Sequence, residues 1–341
     1  MQNKMTRRQY LRLTAAAAAA AAAGILPLNA AEPKKKLIIP KRVLGRTGVE
    51  IPILTIGSGS LFQKAYRERD GSRDDEAAQL FHQAIDLGVT SFESGHNYGA
   101  GWPEKIMGRV LKTRRKEVFL TTKILGGTHD EIMRKLEISL KRLNTDHLDL
   151  LHVHWLKPGE EDSLGQKGRS VETYYKLREQ KIVRFIGVSA HDDPLPITKF
   201  IERYDFDCVQ VVLNAAMQGV TGDIGGWRLA PEFPPSFETI TIPAAQKKNM
   251  GILAMKTLGY GNLLGEGPGK SDAKTLLRYA WSLPVSTAVV GVASPRELRQ
   301  NAAAAAAFTP MPPKEMRELS SRLSPANKVA LERFFATHND C

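Results

Sequence analysis

Three stretches of sequence decide the fold: FESGHNY at 92–98, EVFLTTK at 117–123 and DLLHVHW at 149–155. Each contains an apolar, strand-like run that leads into polar side chains, and the second and third end at Lys123 and near His154. Successive strands that present polar groups at their C-terminal ends are typical of the active rim of a parallel β/α barrel. These stretches therefore predict a barrel with a polar site at one rim.

The rest of the chain repeats this pattern of strand followed by helix. The segment RVLGRTGVEIPILTIGSG (42–59) predicts a β-hairpin that leads into the first barrel strand. Further strands are predicted at 89–93, 117–122, 148–154, 182–188, 208–213, 251–256 and 285–291, and helices at 74–87, 103–112, 129–142, 170–180, 195–203, 236–248, 271–281 and 295–306. Eight strand–helix repeats with short connections indicate an α/β fold, a closed (β/α)8 TIM barrel with an N-terminal β-hairpin and a C-terminal helical tail.

Two stretches depart from the repeat. Residues 214–235 are rich in Gly and Pro and predict a long loop after the sixth strand, where it would overhang the active rim. The residues after Phe308 begin with Pro310, Pro312 and Pro313 and continue with two helical patterns. We therefore expect the barrel at 41–308, preceded by a linker at 32–40 and followed by a C-terminal helical extension at 309–341.

The first 31 residues have a composition of their own, with four basic residues, no acidic residue and nine consecutive alanines. A basic head, a mildly apolar run and small residues are typical of a secretory signal. The pair Arg7-Arg8, followed by an aromatic residue and Leu, resembles a twin-arginine (Tat) signal. Residues 1–31 thus predict a Tat signal peptide, the Tat export machinery as a partner and an exported, periplasmic location; the alternative is an Ala-rich tail.

Composition argues against a membrane anchor, nucleic-acid binding and structural zinc. The apolar run near the N-terminus is short and rich in Ala, so no stable membrane anchor is expected. The formal charge of +12 falls to +8 without the first 31 residues, and no basic patch is interleaved with aromatics, which argues against nucleic acid. Only Cys208 and Cys341 are present, and no Cys/His cluster suggests structural zinc. Cys208 lies in an apolar strand and is predicted to be a buried thiol.

Six motifs, in order along residues 41–305, resemble those of the aldo-keto reductases. They are LGRTGVEI, FESGHNYGAGWPEKIMGRVLK, the strand end TTK, DHLDLLHVHW, IGVSAH and VVGVASPRELRQN. The resemblance implies an enzyme that uses NADP, or alternatively NAD, to transfer hydride between the nicotinamide and a carbonyl or alcohol. The implied substrate is a small molecule, with sugars and sugar derivatives among the candidates.

The resemblance also implies four catalytic residues. Tyr98 matches the general acid that protonates the carbonyl oxygen, Lys123 matches the lysine that lowers the pKa of this tyrosine, and His154 matches the histidine that orients the carbonyl. Glu93 stands where the family normally has Asp, and it keeps the negative charge that can pair with Lys123. These residue types suit the chemistry, because hydride addition builds negative charge on oxygen and needs a donor and a cation nearby.

The residues that the resemblance assigns to the cofactor lie later in the chain: Ser189, Gln210, Met255, Lys256, Leu258, Gly291, Ser294, Arg296 and Asn301. Ser189 and Gln210 match residues that hold the nicotinamide carboxamide, and Met255 stands where many members stack an aromatic ring. Arg296 is the nearest cation for a 2′-phosphate, which favours NADP over NAD. No GxGxxG follows a strand, so a Rossmann site is not supported.

Two other functions remain open at this stage. One is a metal-dependent hydrolase, in which His152 and His154 form a ligand pair with Glu93 and His96 as further candidates. Only one further His, His191, falls at a later strand end, so the expected metal content is none. The other is a barrel that binds nucleotide without turnover, a reading favoured by Glu93 in place of Asp and by the loss of the stacking aromatic.

Overall fold

The computed structural model describes residues 37–191, 193–216, 220–223, 226–229 and 236–324. Only the backbone is described for 220–223 and 226–229. The predicted signal at 1–31, most of the predicted linker and the end of the chain from 325 lie outside the described residues. So does part of the predicted loop at 214–235.

The predicted N-terminal hairpin is present. Strands β1 (Lys41–Val43) and β2 (Glu50–Pro52) pair antiparallel, and the chain then enters the first barrel strand directly. A second antiparallel pair, β9 (Val220–Asp223) with β10 (Gly226–Leu229), lies within the stretch that the sequence predicted as a plain loop. This pair was not predicted, because each strand has only four residues and contains a glycine, which weakens a strand signal.

Eight parallel strands close into a barrel, which confirms the predicted (β/α)8 fold. They are β3 (Leu54–Gly57), β4 (Ser91–Glu93), β5 (Phe119–Leu125), β6 (Leu148–His154), β7 (Val183–Ala190), β8 (Cys208–Val212), β11 (Gly251–Met255) and β12 (Thr287–Gly291). Neighbours around the barrel follow the order of the chain, and β12 pairs with β3 to complete the circle.

Helices surround this barrel: α1 (Ser60–Tyr66), α2 (Asp74–Asp86), α3 (Trp102–Arg114), α4 (His129–Leu143), α5 (Ser170–Glu179), α6 (Pro194–Arg203), α7 (Ile242–Lys247), α8 (Ala273–Ser282) and α9 (Pro295–Ala306). Residues 313–324 form a further helix, α10, in the predicted C-terminal extension. Helix α1 was not predicted. No helix in the described part of the chain is long and apolar enough to cross a membrane.

The predicted helix at 236–248 is divided in two. A π-helical turn (Phe237–Thr241) precedes α7, which carries Pro243 in its first turn. Proline has no backbone N–H to donate, so the regular hydrogen-bond ladder cannot pass through it. The wider turn begins at Ser236, whose side chain accepts from the backbone N–H of Thr239.

Local sequence signals explain where α4 begins and ends. Thr128 and Glu131 form a reciprocal capping box at its start, and Asn144 adopts a left-handed conformation (φ 51°) just after its end. The apolar residues Ile132, Leu136 and Leu143 are buried on the inner face of this helix. Its position matters for the site, because α4 packs beside the loop that follows β4.

Alternation along the strands decides which side chains enter the barrel. Hydroxyl groups of Thr55, Ser91 and Thr287 meet at the N-terminal end of the interior, with oxygen–oxygen distances of 2.9 Å. One layer higher, Lys123 lies opposite His152 in the strand register. The barrel therefore carries polar side chains along its axis that lead up to the C-terminal rim.

Candidate active site

Tyr98 and Lys123 meet at the mouth of the barrel. Lys123 is buried, and its Nζ donates hydrogen bonds to Tyr98 Oη at 3.0 Å and to the carbonyl oxygen of Ser94 at 2.9 Å. Because the phenol oxygen accepts from the ammonium, the phenol keeps its own proton for donation to another group. An ammonium at this distance also favours the phenolate over the neutral phenol.

Glu93 is the last residue of β4 and forms a buried ion pair with Lys123. Its carboxylate also lies near the opposite side of the barrel, where Gln210 Nε2 donates to Glu93 Oε1 over 3.5 Å. This contact with β8 was not foreseen from the sequence. It follows from the length of the Glu side chain, which is one methylene longer than Asp.

The two histidines of β6 lie at different depths. His154 ends the strand and packs edge-on against Tyr98, with ring centroids 5.5 Å apart. His152 lies deeper and is fully buried, with the side chain of Gln210 as its hydrogen-bonding neighbour. Burial, reinforced by the charge of Lys123, lowers the pKa of His152 to about 3, so its imidazole is neutral at physiological pH.

The loop that carries Tyr98 turns sharply after it. Gly99, Ala100 and Gly101 have φ values of 50°, 55° and 85°, a left-handed run that two glycines adopt without strain. Gly95 packs against the phenol ring, since a Cβ built on it would stand 3.2 Å from Tyr98 Cδ1. The conformation of this loop thus directs the Tyr98 hydroxyl back toward Lys123.

The residues assigned to the cofactor divide into two groups. Ser189, Gln210, Met255 and Gly291 lie at or near the C-terminal ends of β7, β8, β11 and β12, four consecutive strands of the barrel. This arc faces the one formed by β4, β5 and β6, which carries the four candidate catalytic residues. Ser189 and Gln210 are neighbours in the strand register.

The second group follows the strands. Lys256 (φ 58°) and Leu258 come directly after β11, and Ser294 caps α9 by accepting from the backbone N–H of Glu297. Arg296 is exposed on this helix and Asn301 is buried. These residues place a helix N-terminus beside the end of β12, a position at which barrels commonly bind phosphate.

Ser189 forms two hydrogen bonds to the backbone of β6 and the residue after it, which the sequence did not indicate. Its hydroxyl accepts from the backbone N–H of Trp155 at 3.1 Å and donates to the carbonyl of Val153 at 3.3 Å. It therefore holds the end of β6, and with it His154. Gln210 Oε1, in contrast, is buried next to the His152 ring, and one lone pair of this oxygen is left for a further donor. The amide group of a nicotinamide would satisfy this acceptor, so the residues at the mouth fit this group.

The histidines of the described residues do not gather into a metal site. His96 Nδ1 lies 2.9 Å from Ser139 Oγ on α4, and burial lowers the pKa of His96 to about 4. Within the described residues, no group of three or more His, Cys, Asp or Glu is arranged to hold a metal ion. The arrangement in that part of the chain therefore gives the hydrolase alternative no ligand set.

The sequence reasoning also missed a second layer of polar residues behind the Tyr98 loop. Glu104 is fully buried and accepts hydrogen bonds from Thr122, Ser139 and Arg142. Glu104 belongs to one of the motifs quoted above, but nothing in a single sequence shows that Arg142 lies beside it.

Comparison with known proteins agrees with this geometry. The sequence profile of the Aldo/keto reductase family matches residues 53–274. L-galactose dehydrogenase of Arabidopsis thaliana is 24% identical over 304 residues, which cover 78% of this chain and 88% of the relative. The NADP(+) aldo-keto reductase yakc of Schizosaccharomyces pombe is 31% identical over 252 residues, 69% of this chain and 65% of the relative.

A solved structure shares the fold. The holo form of aldo-keto reductase AKR11C1 from Bacillus halodurans superposes with a TM-score of 0.67 at 19% identity, covering 84% of this chain and 97% of the other. The profile match extends over most of the barrel, from β3 to the start of α8. This chain therefore belongs to the aldo/keto reductase family and is an oxidoreductase of that type.

Proposed function

We propose that this protein transfers hydride between NADP and a small carbonyl or alcohol substrate, with Tyr98 as the acid. The observation that carries the proposal is the hydrogen bond from Lys123 Nζ to Tyr98 Oη within a buried, charge-compensated site. When bound in the barrel mouth, the nicotinamide supplies or receives the hydride. All other steps fall to the side chains of this chain.

Each side chain has a definable task. Tyr98 donates its proton to the substrate oxygen as negative charge develops there. Lys123 stabilises the phenolate that remains, and Glu93 balances the buried ammonium so that it stays charged. His154, packed edge-on against Tyr98, lies where it can orient the carbonyl toward the phenol. Neutral His152 lies one layer below and acts as packing.

The substrate site supports a sugar or another small polyol. Trp155 follows His154 and stacks on His191, with ring centroids 4.7 Å apart and planes 26° from parallel. The indole is partly exposed and Lys157 Nζ lies 4.6 Å from its ring centroid, so together they offer a sugar an apolar edge and a hydrogen-bond donor. The similarity to a protein named L-galactose dehydrogenase favours the same substrate class.

NADP is the proposed cofactor, with NAD as the alternative. Arg296 supports it, because an exposed guanidinium at the start of α9 can pair with a 2′-phosphate. The similarity to an enzyme whose name includes NADP(+) points the same way. Fluorescence titration with NADPH and NADH, followed by a screen of sugars and small carbonyls with the preferred cofactor, tests both parts of the proposal.

The decisive variant is Tyr98→Phe, which removes the hydroxyl and keeps the ring. The variant should bind nucleotide as the native protein does and lose nearly all turnover. Equal turnover in the two proteins would refute Tyr98 as the acid. A native protein that binds nucleotide and never turns over would instead support the non-catalytic barrel.

We further propose that residues 1–31 direct export of the folded protein through the Tat pathway to the periplasm. The support is the Arg7-Arg8 pair within an acid-free, Ala-rich head. A cofactor loaded before export could travel inside the folded barrel. Replacing both arginines by lysine should retain the protein in the cytoplasm, and protein purified from the exported fraction should carry bound nucleotide. Unchanged export of the lysine variant would refute the Tat route.

A further inference from the structure

The second polar layer is centred on the Glu104 carboxylate, which lies in the first turn of α3 and is fully buried. Oε1 accepts from Thr122 Oγ1 at 2.8 Å, while Oε2 accepts from Ser139 Oγ at 3.1 Å and from Arg142 Nη1 at 3.2 Å. The donors belong to β5 and α4. One carboxylate therefore joins a helix, a strand and a second helix.

The contact with Thr122 reaches the strand that presents Lys123. Neighbouring residues on a strand point to opposite faces, so Thr122 lies outside the barrel while Lys123 lies inside. Both residues are buried. The hydrogen bond from Thr122 to Glu104 consequently holds the outer face of β5 directly behind the ammonium.

The contact with Arg142 reaches the loop that presents Tyr98. Arg142 donates to the carbonyl oxygens of His96 at 2.9 Å and Ala100 at 3.4 Å, two residues before and two residues after Tyr98. The guanidinium lies against Gly101, where a Cβ would stand 2.1 Å from Arg142 Cζ. The backbone is thus held on both sides of Tyr98.

A buried charge of this kind is a weak source of stability, because desolvation offsets most of the attraction. Burial raises the pKa of Glu104 above its ordinary value, and hydrogen bonds from Thr122, Ser139 and Arg142 oppose that rise. The same contacts connect the loop that carries Tyr98 with β5, the strand that carries Lys123. This indicates that Glu104 serves to position these two elements rather than to stabilise the fold.

We propose that Glu104 and Arg142 are positioning residues that set the distance between the Tyr98 hydroxyl and the Lys123 amine. The inference rests on the proposed function, since it concerns the acid of that reaction. Glu104 acts through Thr122 on the strand of Lys123, and Arg142 acts through the two carbonyls on the loop of Tyr98. Loss of either contact would let the phenol and the ammonium separate.

The test compares Glu104→Gln, which keeps the shape and removes the charge, with Arg142→Met, which can fold even if the buried variant does not. We expect kcat for carbonyl reduction to fall roughly 10- to 100-fold, because catalysis is sensitive to displacements of about 1 Å. Nucleotide affinity should be unchanged. The pH above which kcat declines should move upward, because the phenol loses part of the effect of the ammonium.

Asp149→Asn is the matched control. Asp149 is also buried, accepts from the backbone N–H of Leu120 at 2.9 Å and pairs with Arg115 at 2.9 Å, but it lies at the opposite end of β5 and β6. This variant should lose stability while keeping kcat and its pH profile. If Glu104 and Arg142 contribute only to stability, Glu104→Gln and Arg142→Met should behave like this control, with lower stability and an unchanged kcat and pH profile. That outcome would overturn the inference.

A second measurement separates this inference from the proposed function. The ultraviolet titration of a protein, minus the titration of the same protein with Tyr98→Phe added, follows ionisation of Tyr98 and requires no turnover. This difference is measured in the native, Glu104→Gln and Arg142→Met proteins. Ionisation that moves to higher pH in Glu104→Gln or Arg142→Met supports positioning, and unchanged ionisation in both overturns it. A native protein that reduces no carbonyl in the screen refutes the proposed function alone, because this titration still tests the distance.

Discussion

The imidazole of His152 occupies the space that a side chain on Gly187 would need. A Cβ built on Gly187 would stand 2.1 Å from His152 Cδ2 and 2.4 Å from Nε2. The two residues are paired in register on β6 and β7, and both point into the barrel. Only a glycine at this position of β7 leaves room for the His152 ring beneath the candidate active site.

Gly187→Ala should therefore destabilise the protein by about 1–3 kcal/mol, the usual cost of overpacking a filled core. Urea unfolding measures this cost. In the His152→Ala background the added methyl group would meet a cavity, so the double variant should be more stable than the sum of the two single losses predicts. Simple additivity would show that the ring and the glycine do not share this space.

The contact between Gln210 and Glu93 predicts an energetic coupling across the barrel. Gln210→Leu in the native chain should lower the free energy of unfolding by about 1.5 kcal/mol, the low end for loss of a hydrogen bond to a charged group, because the contact is 3.5 Å long. In the Glu93→Asp background the shorter side chain no longer reaches Gln210, so the same replacement should cost less. Urea unfolding of the four proteins without nucleotide measures the coupling, and equal costs in both backgrounds would contradict it.

Glu238 predicts a pH dependence of stability. Burial raises its pKa to about 7, although Tyr279 donates a hydrogen bond to the carboxylate over 2.9 Å. The folded protein therefore holds a proton that the unfolded chain releases at lower pH. Between about pH 4.5 and pH 7 this group makes the folded state less stable as pH rises, by roughly 3 kcal/mol in total.

The Glu238→Gln variant isolates this contribution. Gln cannot ionise, so its stability relative to the native protein should increase from pH 4.5 to pH 7 and then level off. Unfolding of both proteins in urea across this range gives the difference. Glu318→Gln, an exposed change on α10, is the control and should show no such trend. A difference that does not vary with pH would show that Glu238 titrates normally.

Cofactor preference can be tested on α9. Arg296 is exposed at the start of this helix. Arg296→Glu should raise the KM for NADPH at least about tenfold through loss of the charge-assisted contact with the 2′-phosphate. The KM for NADH should change much less. Arg299→Glu, on the same helix and also exposed, should leave both constants nearly unchanged. Equal effects of the two variants would exclude Arg296 as the phosphate partner.

Much of the fold follows from local signals in the sequence. A few neighbouring residues are enough to recognise an apolar strand, an amphipathic helix or a helix cap, such as Thr128 with Glu131. Lys123 and His154 were expected at the rim because a strand end and side-chain alternation fix their position. Pro243 is itself a local signal for the division of the predicted helix at 236–248, and the sequence reasoning overlooked it. The short helix α1 was missed because seven residues give too short a pattern.

The sequence by itself determined the barrel, its order of strands and the identity of the polar groups at its rim. Only the tertiary structure decided how these groups pair: Gln210 with Glu93, His152 with Gly187, and Glu104 with Arg142. The physical reason is that such pairs lie far apart in the chain. Their distances depend on strand register and barrel closure, which arise only when all the elements pack together.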